Sequence, residues 1–221
     1  MPADSVRPHA MRLGWALFVP LLFAGCHAMN TPPDQTPRPQ PGMPGYVPTD
    51  ANGIVHIDTR YPIPFDNHKF MAMCFDTYHC QVIYNGMYME RQEGDEKSIS
   101  SSSIGSRYPD KVLDSAWVID ISNFPPPAKV SWQSKDGQSH QATVDIAEIF
   151  KDQVVLHKVP QDQLLPIMRA PIFPGIVLEV NDRTINVYMR AHVSTRVLQE
   201  LGNPLSDYRN DLILAYSKTY D

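Results

Sequence analysis

The chain has 221 residues, 43% of them hydrophobic, and 19 basic against 24 acidic side chains give it a formal charge of −5. So much apolar material excludes a chain that is disordered throughout. The acidic balance argues against nucleic acid or anionic lipid as the main partner, since both are held by a surplus of Lys and Arg.

Residues 11–26, MRLGWALFVPLLFAGC, set the compartment. Arg12 opens an apolar run from Leu13 to Phe23, which is too short to span a bilayer and suits a signal h-region. Phe23-Ala24-Gly25-Cys26 follows as a lipobox-like site, in which small residues let the backbone enter the peptidase and Cys26 becomes the lipidated N-terminus. Phe23 stands where an aliphatic residue is usual. The leading MPADSVRPHA carries Asp4 and two prolines and makes a poor n-region, so Met11 reads as the true start. His27 is not the Asp associated with inner-membrane retention, so the expected address is the periplasmic face of the outer membrane.

The expected organisation is therefore a signal over residues 1–25, a lipidated cysteine and tether over 26–50, and one domain over 51–221. His27 to Asp50 holds seven prolines and almost no aliphatic residues, the composition of a solvated, partly polyproline-II tether. At ~3.1 Å per residue it reaches roughly 75 Å. Of the three cysteines, lipid accounts for Cys26, leaving Cys74 and Cys80 to form a disulfide across CFDTYHC. A metal site at Cys74, His79 and Cys80 is the alternative, but no second ligand cluster lies close in sequence.

In chain order, Ile54 to Asp58 and Lys69 to Phe75 read as strands. Asn85-Gly86 is the preferred pair for a two-residue type I′ turn, pairing Tyr84 with Met87 and Val82 with Met89. Glu93 to Asp110 is polar, with an acidic cluster and a serine run, and reads as a long loop. Trp117 to Ile121 is a strand ended by Pro125-Pro126-Pro127. A three-residue loop at Lys135-Asp136-Gly137, with Gly137 left-handed, pairs Trp132 with His140, Val130 with Ala142 and Ala128 with Val144.

Ala147 to Phe150 is expected as a helical turn, Gln153 to His157 as a strand, and Pro160 to Leu165 as a short helix. A two-residue loop at Asp182-Arg183 stacks Val180 on Ile185, Leu178 on Val187 and Ile176 on Met189. That register turns Glu179, Asn186, Tyr188 and Arg190 outward on the opposite face. Ser194 is placed to cap a helix ending at Leu201, before Gly202 and Pro204. Leu212 to Tyr216 is apolar on both faces and reads as a central strand. Many short strands with few helical signals predict a mainly β fold, an antiparallel two-sheet, sandwich-like domain with a few short helices.

The chain carries no nucleophile elbow, zinc helix, P-loop or dinucleotide fingerprint, and its eight histidines are scattered. An enzyme is therefore not expected, nor is a cofactor or metal, although a Ser/His/Asp triad can assemble from any chain order.

The blocks KVSWQSKDGQSHQATVDIAEIFKDQVVLH, EVNDRTINVYMRA and RNDLILAYSKTY resemble a group of proteobacterial lipoproteins encoded beside phospholipase effectors of the type VI secretion system. The resemblance spans roughly Gln81 to the C-terminus together with the lipobox arrangement. It implies an immunity protein whose partner is the secreted phospholipase, held at the membrane by its lipid. Under that reading Glu93, Asp95, Glu96, Ser101 and Arg107 in the polar loop are candidate contacts, with Tyr188 and Arg190 on the outward face. A structural or envelope-assembly lipoprotein is the alternative, and a hydrolase of unrecognised type the third reading.

Overall fold

The computed structural model describes residues 57–58, 62–114, 118–165, 167–168 and 171–221. The expected signal, Cys26, the tether and Trp117 lie outside the described residues. The strands in chain order are β1 (Ile57–Asp58), β2 (Asn67–Phe75), β3 (Tyr78–Tyr84), β4 (Met87–Arg91), β5 (Val118–Ser122), β6 (Ala128–Gln133) and β7 (Ser139–Val144). They continue with β8 (Ile167–Met168), β9 (Gly175–Asn181), β10 (Thr184–Arg190), β11 (Val193–Ser194), β12 (Tyr208–Arg209) and β13 (Leu212–Thr219).

The fold is mainly β, built on two packed sheets. One has five strands in the order β13-β10-β9-β2-β5, the other four in the order β4-β3-β6-β7. Alternation on both sheets puts Phe70, Ile176, Leu178, Val180, Ile185, Val187 and Met189 against Val82, Tyr84, Val130, Trp132 and Val144 in one core. Trp132 closes it by donating its indole N–H to the Asp182 carbonyl at 2.7 Å, which ties a β6 side chain to the β9–β10 turn.

One pair departs from the antiparallel expectation, because β2 and β9 run parallel, with Phe70 opposite Ile176 and Ala72 opposite Leu178. Parallel neighbours need a long crossover. Here the whole four-stranded sheet lies within that connection, so leaving β2 builds the second layer before the chain returns as β9.

The hairpins at Asp136-Gly137 and Asp182-Arg183 have the expected registers, and Gly137 is left-handed at φ +84°. The Asn85-Gly86 hairpin keeps Tyr84 opposite Met87, but Val82 opposes Glu90 instead of Met89. A bulge in β4 at Met89 absorbs the extra residue, as edge strands commonly do. Helix α1 (Ile146–Ile149) is one turn, capped by the Asp145 carboxylate, which accepts from the Glu148 N–H at 3.1 Å. Pro160 to Leu165 yields a 3₁₀ turn at Gln161–Gln163.

Three expected elements differ. Gln153 to His157 makes only one bridge, Val154 to Pro64, because the chain there runs antiparallel to the short segment before β2 instead of joining a sheet. No helix forms after Ser194, which pairs with Tyr208; residues 195–207 make a loop whose polar side chains bond its own backbone. Lastly, β13 lies at a sheet edge, and Leu214 is exposed. Its apolarity on two faces reports packing on two sides of the sheet: Ala215 and Tyr216 border the main core, Leu212 a second cluster.

Candidate functional site

That second cluster lies on the far face of the five-stranded sheet. Met71, Val177 and Tyr188, which alternate with the core residues of β2, β9 and β10, meet Phe75 and Leu113 there, with Ile104, Tyr108 and Val112 against them. The outward polar face is therefore not solvated, and this corrects the placement of Tyr188 and Arg190 as a presented surface. Glu179 is 0% exposed, Arg190 6% and Tyr188 9%.

What covers the face is the polar segment following β4. Residues Ser101–Arg107 form a 3₁₀ stretch interrupted at Gly105, whose φ of +68° suits a glycine. The start of the segment is clasped by the buried Asp76, which accepts from Lys97 Nζ at 2.8 Å and Ser100 Oγ at 2.7 Å. Thr77 adds two backbone bonds, donating its N–H to Ser98 Oγ at 2.9 Å and accepting from the Ser98 N–H at 2.8 Å. Burial pushes the Asp76 carboxyl up, but the bonds from Lys97 and Ser100 outweigh it and hold the group below the usual aspartate value.

In the middle, Tyr108 donates its hydroxyl to Glu179 Oε1 at 2.5 Å. Asn186 Nδ2 and Tyr188 Oη donate to Oε2 at 2.9 and 3.2 Å. Asn181 Nδ2 reaches Ser101 Oγ at 2.9 Å and Tyr108 Oη at 3.2 Å. A fully buried carboxylate is costly unless its lone pairs are filled, and three donors fill these. Burial, then the Glu179 bond and charge, push the Tyr108 phenol up to about 12; burial and the Glu179 charge also push Tyr188 up. Both phenols stay protonated at neutral pH and act as donors.

At the far end, Arg190 Nη2 donates to the Asp110 carbonyl at 2.5 Å and to Asp110 Oδ1 at 3.0 Å, while Nη1 donates to the Asn210 carbonyl at 2.9 Å. Leu113, fully buried, packs with Met71, Val177 and Tyr188. Burying one such leucine contributes roughly 1.5–3 kcal/mol. The cover is thus fixed by apolar burial as well as by hydrogen bonds.

The polar-loop candidates divide accordingly. Glu93, Asp95, Glu96 and Arg107 are exposed, Glu93 in a loose ion pair with Arg91 at 3.7 Å and Asp95 near His79 at 3.8 Å. Ser101 is half-buried and committed to Asn181. Cys74 and Cys80 are joined as a disulfide, so neither offers a thiolate to a metal. Among the described residues no three His, Cys, Asp or Glu side chains gather as metal ligands.

A Ser/His/Asp grouping does assemble, at the β6–β7 turn. Ser134 Oγ donates to Asp136 Oδ1 at 2.5 Å and lies 2.9 Å from His140 Nε2. With the hydroxyl hydrogen directed at Asp136, Nε2 is the donor to Ser134. A triad needs the reverse: histidine accepting from serine, and the carboxylate oriented on the other ring nitrogen. Ser134 is also completely buried, and His140 stacks on Trp132 at 5.0 Å. The grouping organises the turn.

Comparison with family models, curated proteins and solved structures gives no match.

One surface escaped the sequence reading. The loop between β11 and β12 exposes Val197, Leu198, Leu201 and Leu205, with Tyr208 at its base stacked on His192 at 4.0 Å. Sequence patterning puts Val197, Leu198 and Leu201 in a short helix ending at Leu201, leaves Leu205 beyond it, and gives none of the four a contact role. The available signal was that the helix stop at Gly202-Asn203-Pro204 separates Leu201 from Leu205, which puts apolar residues on both sides of a turn.

Proposed function

We propose that the protein is a membrane-anchored periplasmic immunity lipoprotein that binds a type VI secretion phospholipase and keeps it from the producer's own membranes. Cys26 carries the acyl chains, residues 26–50 are the tether, and the β domain is the binding module. The observation that carries the reading is the distribution of cysteines: Cys74 and Cys80 are paired, which leaves Cys26 of the lipobox-like site free for lipid. The resemblance of the three sequence blocks supplies the partner.

Physical reasons support the arrangement. A lipase acting on periplasmic leaflets has to be met near the membrane, and lipid contributes ~0.8 kcal/mol per buried methylene to staying there. Neutralisation by a preformed surface laid over the lipase's active-site opening or membrane-docking face needs a rigid scaffold presenting loops. The two-sheet domain with a pinned cover is a scaffold of that kind. Mixing the mature lipoprotein in detergent with the phospholipase encoded beside it tests the reading. Stoichiometric binding and loss of phospholipase activity are expected, and neither binding nor inhibition would sink it. A gene neighbourhood without any secreted lipase favours the constitutive envelope-assembly role instead.

A further inference from the structure

We infer that the loop spanning Val197 to Leu205 is the protein's principal docking element, and that it inserts into a concave apolar groove with a basic rim on a partner protein. Under the immunity reading, on which this inference rests, that groove is the acyl-chain groove of the phospholipase.

The exposure is concentrated. Leu201 is fully exposed, Leu205 78% and both Val197 and Leu198 nearly half, all within nine residues. Scattered exposed leucines are ordinary, but a cluster on one protrusion marks a contact surface. Phe173, also exposed, precedes Gly175, and Gly175 pairs with Arg190 at the end of the sheet from which the loop departs.

The loop is also built to hold its shape. Its base is the β11–β12 pair, with Val193 opposite Arg209 and Ser194 opposite Tyr208. Above it, the Gln199 N–H donates to the Ser206 carbonyl at 2.7 Å and the Glu200 N–H to Ser206 Oγ at 2.9 Å. Asn203 Nδ2 donates to Glu200 Oε2 at 2.8 Å, and the Leu205 N–H to Asn203 Oδ1 at 3.1 Å. Thr195 Oγ1 donates to the Val197 carbonyl at 2.7 Å. With polar groups satisfied inside the loop, the leucines are held outward without a partner, so little ordering entropy is lost on binding.

Charge selects the occupant. The loop has no lysine, and its single basic side chain, the exposed Arg196, donates Nε to the Leu164 carbonyl at 2.7 Å and is outnumbered by acids. Glu200 and Asp207 flank the leucines and are exposed. Interfacial lipid-binding segments carry Lys and Arg around their apolar residues, because leaflet surfaces are anionic. Acidic flanks on a convex apolar tip complement a concave protein groove with basic edges.

The test uses the full chain with Cys26→Ala, so that the acyl anchor does not contribute, and compares it with the same chain carrying Leu201→Ser and Leu205→Ser. Both positions are solvent-exposed, and an unchanged thermal melt establishes that the fold is intact. Calorimetry against the neighbouring phospholipase is expected to show binding weakened roughly 100-fold in the double variant, as for central interface anchors. Equal binding by both chains overturns the loop as the docking element while leaving the immunity reading in place. No binding by either chain overturns the immunity reading and the occupant named here. Sedimentation with phosphatidylglycerol vesicles that the double substitution abolishes overturns the protein groove in favour of a lipid surface, and dimerisation that it abolishes overturns it in favour of a second copy.

Discussion

Tyr108 donates its hydroxyl to Glu179 Oε1 at 2.5 Å, a bond between residues 71 apart in sequence that closes a polar segment over the far face of the five-stranded sheet. Through it the loop that sequence patterning leaves structureless becomes a third layer of the domain. Around that bond sit a buried carboxylate with three donors and a small apolar cluster, so the cover behaves as part of the folded unit.

Removing the hydroxyl tests how much the bond contributes. Tyr108→Phe keeps the ring against Phe75, which lies edge-on at 5.6 Å, and takes away one donor from Glu179. Hydrogen bonds to charged groups are worth about 1.5–3 kcal/mol, and Asn186 and Tyr188 remain as donors, so a loss of about 2 kcal/mol in urea denaturation is expected. Amide exchange should accelerate at residues 101–114 before any other part of the domain. Acceleration spread evenly over both sheets would contradict a separately pinned cover. Arg190→Met, which retains the stem, should loosen the Asp110 end in the same way, by about 1–3 kcal/mol.

The Cys74–Cys80 disulfide closes a short loop between β2 and β3. Chain-entropy arguments give about 2 kcal/mol for a loop of this size. Reduction, or Cys74→Ser with Cys80→Ser, should lower the unfolding free energy by about that amount without unfolding the domain. Labelling of the native, oxidised protein by a thiol reagent at either position would refute the bond.

Stability should fall with acidity in two windows. His68 is fully buried, its Nδ1 2.8 Å from Asn123 Oδ1 and its Nε2 3.2 Å from the Tyr84 hydroxyl, and burial holds its folded pKa below the ordinary 6.5. A histidine lowered on folding gives stability that is complete above pH 6.5 and is lost as pH falls through the folded value, since the unfolded state takes the proton first. His157 is lowered mainly by burial and adds to the same slope. Asp76 is lowered as well, so the clasp on Lys97 and Ser100 should fail only below about pH 3.8, in a second step. Urea midpoints from pH 8 to pH 2 check both windows, and His68→Gln should reduce the upper slope to the His157 share while leaving the lower unchanged. An upper slope indifferent to that substitution would refute the assignment.

Cys26→Ala should release the protein from membranes into the soluble periplasmic fraction. Acylation through one thiol is the proposed attachment, and substitution removes it. Continued extraction only with detergent would refute the lipid anchor.

Local patterning was enough for much of the fold. Period-two alternation and turn chemistry determined the β class, the registers at Gly137 and at Asp182-Arg183, and the core residues from Ile176 to Met189, because these depend on neighbours a few residues away. Cysteine count and compartment logic yielded the Cys74–Cys80 pair. The parallel β2–β9 pairing lay beyond reach, since it depends on where a strand arrives after a crossover of about a hundred residues. Nor does alternation distinguish a polar face in water from one whose hydrogen bonds are supplied by a distant segment. Glu179, Tyr188 and Arg190 look the same in both, and only the tertiary structure brings Tyr108 and Asp110 to them. The same limit hid the leucine loop. Apolar residues at 197, 198, 201 and 205 look the same whether they meet a core or the solvent, and what packs beside them decides it.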